Sequence, residues 1–206
     1  MQRAERVRAI LVLLAAAACP AWTLAAALTV TVTDGAGRPL TDAVVSVLLR
    51  GTPVAAAAGT TAQLGQRERQ FQPRVSVVQT GTSVAFPNFD TVRHHVYSFS
   101  PIRKFELKLY AGTPAAPVVF DKPGTAVLGC NIHDRMQAWV HVVDTPIFGK
   151  TDAAGKVVLD VPAGEHLVRA WHEVLEETGV PVQLRVLVGA AATQLTVTVA
   201  IPASGQ

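Results

Sequence analysis

Along most of this 206-residue chain, hydrophobic and polar residues alternate in short runs separated by turn residues. Residues 28–33 alternate with period two, Asp34-Gly35-Ala36-Gly37 turns the chain, and residues 43–49 run back. Period two sends successive side chains to opposite faces, so such runs predict half-buried β-strands. Residues 51–61 read as a small-residue loop. Further strands are predicted at 74–79, 82–86, 95–99, 105–110, 118–120 and 125–129, then at 138–143, 156–160, 166–171, 182–188 and 194–200. Helix is expected only briefly, around 102–105 or 173–177. Short strands at this spacing predict an all-β, sandwich-type architecture.

Composition agrees with that reading, because half of the residues are hydrophobic while aromatics make up only 6%. The apolar content is chiefly valine and alanine, which suits strands and turns better than amphipathic helices.

The first 27 residues stand apart. Arg3, Arg6 and Arg8 form a basic start, residues 10–18 form an apolar run, and small residues at 25–27 offer a cleavage site. The run is too short to cross a bilayer and reads as a secretory signal over 1–27, with export to the periplasm. Ala16-Ala17-Ala18-Cys19 loosely resembles a lipobox, so lipid anchoring at Cys19 is a second reading. No later apolar run is long enough to span a membrane. The leader's three arginines and one glutamate account for +2 of the precursor's +3 charge, which leaves the mature chain near +1. A charge so small excludes an extended basic surface for nucleic acid.

Removing the leader also isolates the sulfur atoms. The chain has two cysteines and two methionines. Without Cys19 and Met1, those left are Cys130 and Met136, both inside Cys130-Asn131-Ile132-His133-Asp134-Arg135-Met136. A lone thiol in an oxidising compartment has no disulfide partner and needs another explanation. Thiolate and thioether together select copper, and zinc fits one thiolate with a methionine poorly. Two histidines and a cysteine in a plane, with a weak axial methionine, describe a blue-copper electron-transfer site. The further histidine must come from elsewhere, and His94 and His95 are the candidates. His141, His166 and His172 read as structural, Asn88 and Asp90 as turn residues, and Trp139 as core.

Residues 71–143 resemble a cupredoxin of the plastocyanin, amicyanin and pseudoazurin kind. QFQPRVSVVQTGTSVAFPNFD is similar to that family's opening strands, His94-His95-Val96 to its His-Asn-Val, and Cys130-x2-His133-x2-Met136 to the amicyanin-type ligand loop. The resemblance implies a Greek-key β-sandwich holding one type 1 copper ion. His94, Cys130, His133 and Met136 would be its ligands, with His95 in the outer shell or as an extra ligand. The run RHHVYSFSPIRKFELKLYAGTPAAPVVFDKPGTAVLGCNIHDRM, followed by VVDTPIF, is similar to periplasmic proteins labelled methylamine utilization proteins. Asp134 and Arg135 depart from the family, which carries proline and an apolar surround beside the second histidine.

The two ends of the chain share a different resemblance. LTVTVTDGAGRPLTDAVVSVLL looks like the opening of a carboxypeptidase-regulatory or transthyretin-like β-sandwich. KTDAAGKVVLDVPAGEHLVRAW and QLRVLVGAAATQLTVTVAI look like the rest of one. Two organisations stay open. In one, residues 28–62 complete a module at 146–206, with a copper domain at 63–145 inserted between them. In the other, two domains follow one another. The expected function is a non-enzymatic carrier of single electrons between redox partner proteins. A copper carrier or sensor without electron transfer is the alternative.

Overall fold

The computed structural model describes residues 25–114, 116–133, 135–175 and 180–200. Arg3, Arg6, Arg8, Cys19, Asp134 and Glu177 therefore lie outside the described residues. Among the described residues the architecture is all-β, with one short 3-10 turn at Glu173–Leu175. No helix among the described residues is long and apolar enough to cross a membrane.

Two β-sandwiches account for the strands other than the hairpin of Gly65–Arg67 and Gln70–Gln72. In the first, a five-stranded sheet runs in the order Val75–Gln79, Gln137–Val143, Gly124–Gly129, His94–Ser98 and Phe105–Tyr110. It faces a three-stranded sheet of Val118–Phe120, Thr82–Ala85 and Thr61–Gln63. Val84, Phe86 and Phe120 from one side meet Val96, Leu128, Ala138 and Val140 from the other in a closed core that also contains Cys130 and Met136. Burying such aliphatic side chains contributes about 1.5–3 kcal/mol each, so this core is the main support of the sandwich.

The second sandwich takes strands from both ends of the chain. Ala25–Asp34 lies between Lys156–Pro162, antiparallel, and Thr193–Val199, parallel. Val44–Leu49 pairs with Phe148–Lys150 and with Gly164–Trp171, which Val182–Val188 extends. Leu28, Val30 and Val32 pack on Val45, Val47, Val168 and Ala170. The strand through Thr29 thus finds both of its neighbours beyond Thr151, and residues 50–147 form an excursion from this sandwich.

A third cluster joins the two bodies. Val75, Trp139 and Val143 of the first pack against Val44 and Trp171 of the second. Around it, Lys150 Nζ reaches Asp42 at 2.6 Å and the Val75 carbonyl at 2.9 Å. Arg169 meets Asp144 at 2.8 Å and Arg74 meets Glu173 at 2.9 Å.

Several local expectations are corrected. Residues 102–105 form no helix. Arg103 N closes a turn onto Ser100 O at 3.0 Å, and the alternating strand Phe105–Tyr110 begins directly after it. The first strand starts at Ala25, three residues before the expected one, with Ala25, Ala26 and Ala27 paired with Pro162, Val161 and Asp160. Thr61 and Ala62 belong to the first sandwich rather than to the N-terminal strands, because Thr61–Gln63 pairs with Thr82–Ala85. The strands Gly65–Arg67, Gln70–Gln72 and Phe148–Lys150 were not expected, since each carries at most one apolar residue, whereas the equally short Val118–Phe120 is apolar throughout.

Candidate metal centre

The site sits at one end of the five-stranded sheet. His94–Ser98 and Gly124–Gly129 are antiparallel neighbours with Gly129 opposite Tyr97, so His94 opens its strand near the point where Cys130 leaves the other. Pairing with Phe105–Tyr110 slips between His94 and Val96. A bulge of this kind re-aims side chains beside functional sites. Here two consecutive histidines, His94 and His95, are both buried.

His94 Nδ1 stands 3.9 Å from Cys130 Sγ, and His133 Nδ1 stands 3.8 Å from it. The imidazole centroids are 5.1 Å apart. All three ligand atoms fall within 4.8 Å of one another, and among the described residues no other three histidine, cysteine or carboxylate side chains converge in this way. Donors sharing one ion at bond lengths of about 2.0–2.3 Å stand about 3.5–4 Å apart in a trigonal arrangement. The observed spacings therefore fit a single metal ion. Met136 N donates to His133 O at 2.9 Å, which closes the loop. Met136 is buried and lines a cleft of about 370 Å³ together with Cys130, Tyr97 and Phe99.

His94 is held from its far side as well. Its Nε2 lies 2.7 Å from Asp90 Oδ2. Asp90 also accepts from Glu68 N at 2.7 Å and from Arg69 N at 2.9 Å. Burial alone would raise the Asp90 carboxyl, but the bonds from Arg69, His94 and Glu68 outweigh it and hold it below the usual carboxylate value. Asn88 braces the loop, donating to Val92 O at 2.9 Å and Tyr110 O at 3.1 Å while accepting from Asp90 N at 2.9 Å. Asp90, read from sequence as a turn residue, is thus a direct partner of His94. Its position four residues before a candidate ligand is the signal that could have found it.

His95 is not brought into the group. Its Nε2 lies 3.0 Å from Glu106 Oε1, an ion-pair distance without hydrogen-bond alignment, and its ring packs on Tyr97. His141 lies at the junction of the sandwiches, stacked on Trp171 and bonded to Thr125 Oγ1 at 2.9 Å. Its burial and the nearby Arg169 lower its pKa to about 3. His166 Nε2 donates to Pro162 O at 2.8 Å, and His172 bonds Thr41 O at 3.1 Å. Trp139 is buried in the junction with Arg74 over its ring at 4.6 Å. Behind the site, Tyr110 donates to Phe86 O at 2.7 Å, Gln66 donates to the Tyr110 hydroxyl, and burial pushes that hydroxyl up to about 12.

No protein-family model matches the chain, and a search of curated proteins returns no match. Among solved structures, 47% of the chain is similar to a Cu-containing nitrite reductase from Thermus scotoductus SA-01, at 23% identity and a TM-score of 0.39. That match takes in 26% of the reductase chain, so this chain spans about a quarter of its length. Amicyanin from Paracoccus versutus matches over 48% of this chain and 96% of its own, at 19% identity and a TM-score of 0.34. A reduced amicyanin variant matches over 48% and 97%, at 18% identity and a TM-score of 0.37. At such TM-scores these likenesses carry no weight in the functional reading.

Proposed function

We propose that this chain is a periplasmic type 1 copper protein that carries single electrons between redox partner proteins and catalyses no reaction itself. The observation that carries the reading is the convergence of His94 Nδ1 and His133 Nδ1 on Cys130 Sγ, with Met136 buried beside them. Bound copper would supply a one-electron couple between its two oxidation states. Cys130 would ligate as thiolate, the form that binds metals, and the two histidines would offer their Nδ1 lone pairs. Met136 would be the weak axial donor.

The protein's own part is rigidity. Cys130 and His94 leave adjacent strands of a packed sheet, and the turn bond from Met136 to His133 fixes the intervening loop. Donors held this way keep similar positions in both oxidation states, which keeps the barrier to electron transfer low. His133 is only half-buried and provides the solvent-side edge of the group. The carrier or sensor alternative drew on His95 as an added ligand. The contact between His95 and Glu106 supports the electron-transfer reading instead.

Voltammetry of the copper-loaded protein tests this function. The expected result is a reversible one-electron couple. A protein that binds copper tightly but shows no reversible couple would be a carrier.

A further inference from the structure

The Gly65–Arg67 and Gln70–Gln72 strands form a hairpin with Arg67 opposite Gln70, so Glu68 and Arg69 make a two-residue turn. Both have positive φ, 55° and 59°. Such turns favour Asn-Gly or Gly-Gly, because other residues pay a steric penalty with φ above zero. Non-glycine residues persist in this region only where their surroundings over-determine them. Here the surroundings are visible, since both turn N–H groups point at the Asp90 carboxylate, at 2.7 Å and 2.9 Å.

The carboxylate in turn meets His94 Nε2 at 2.7 Å. A carboxylate only accepts, so the nitrogen facing it must carry the proton. In the neutral ring the other nitrogen then presents a lone pair, and that nitrogen is the one facing Cys130 Sγ. His94 itself is fully buried, so no water competes for either position.

We propose that Asp90 is a positioning residue for the metal centre, fixing the tautomer and direction of His94, and that the Glu68-Arg69 turn is built to hold Asp90 in place. The inference rests on the reading of His94 as a ligand. Carboxylate partners of ligating histidines fix the ring and raise its basicity, and losing one costs about 10–100-fold in metal affinity. The negative charge of Asp90 also favours the higher oxidation state of an ion bound on the other side of the ring.

Two variants separate the two effects. Asp90→Asn keeps an acceptor oxygen and removes the charge. Asp90→Ala removes both. In the metal-free protein, nitrogen-15 NMR of the imidazoles should show His94 as the Nε2–H tautomer in wild type and a mixture in Asp90→Ala. In the copper-loaded protein, Asp90→Asn should raise the preference for Cu(I) over Cu(II) by about tenfold, about 59 mV for a one-electron couple. Asp90→Ala should also weaken Cu(I) binding at least tenfold in a chelator competition, with near-ultraviolet circular dichroism confirming the fold. A wild-type His94 carrying its proton on Nδ1 would overturn the proposal, whatever the protein does with copper. So would an Asp90→Ala protein with wild-type potential and affinity. Failure of the wild-type chain to bind copper at all would instead defeat the proposed function, and the metal-free tautomer would still decide the role of Asp90.

Discussion

The His141 imidazole lies flat on the Trp171 indole, with ring centroids 4.6 Å apart and planes 11° from parallel. The two rings belong to strands of different sandwiches, Gln137–Val143 and Gly164–Trp171. The stack is therefore part of the seam that joins the body holding His94, Cys130 and His133 to the body built from the chain's two ends.

This contact makes stability depend on pH. The unfolded chain takes up a proton at His141 near pH 6.5, whereas burial and Arg169 delay uptake in the folded protein to about 3. Because the folded value is the lower one, the stabilisation is full above about pH 6.5 and is lost as the pH falls toward 3. Within that window His141 should cost about 1.4 kcal/mol per unit of acidification. Urea unfolding at a series of pH values should show this slope, and His141→Phe, which keeps a ring on Trp171, should flatten it. Equal slopes in the two proteins would show that other groups dominate.

Removing the other half of the stack should weaken both bodies together. Trp171 is fully buried against Val44, Val75, Trp139 and Val143. Trp171→Ala should cost about 3–5 kcal/mol, the range for deleting a buried tryptophan. The loss is read from the denaturation midpoint. A cost below 1 kcal/mol would mean that the seam contributes little.

Gly129 is the residue that admits Tyr97 beside the ligand loop. A Cβ at this position would lie 2.7 Å from the Tyr97 ring, too close for the two to coexist. Gly129→Ala should displace either Tyr97 or the adjoining Cys130. The expected outcome is a copper absorption band shifted or weakened relative to wild type, at a stability cost of about 1–3 kcal/mol. An unaltered spectrum would show that Tyr97 alone moves.

Met136→Gln should keep the protein coloured while changing its reduction potential, because the axial donor tunes the potential without supplying the main charge-transfer ligand. Unchanged voltammetry would remove Met136 from the ligand set.

How much of this was legible in the sequence follows from the range of each interaction. Strands such as Phe105–Tyr110 and Val182–Val188 repeat with period two, and their bounds coincide with the expected ones. The loop from Cys130 to Met136 stood out because it gathers, within seven residues, the cysteine and the methionine that lie outside the first 27 residues. Asp90 did not stand out, because its role depends on partners on three sides. The turn at Glu68-Arg69 lies about twenty residues upstream, and the bulge before Val96 determines where His94 points. His95 misled for the same reason, since its burial beside Tyr97 and Glu106 is a product of pairing and not of spacing. The closing of the second sandwich from both ends was suggested by a likeness between distant segments. Only the register of Leu28 with Leu159 and Thr193 makes it a physical statement.

The central claim is that Cys130, flanked by His94 and His133, binds copper through its thiolate. The visible absorption spectrum of the purified protein after one equivalent of Cu(II) tests it most directly. An intense blue charge-transfer band that saturates at one copper per chain and is absent in Cys130→Ser is the expected result. A colourless copper complex, or a band that survives in Cys130→Ser, would contradict it.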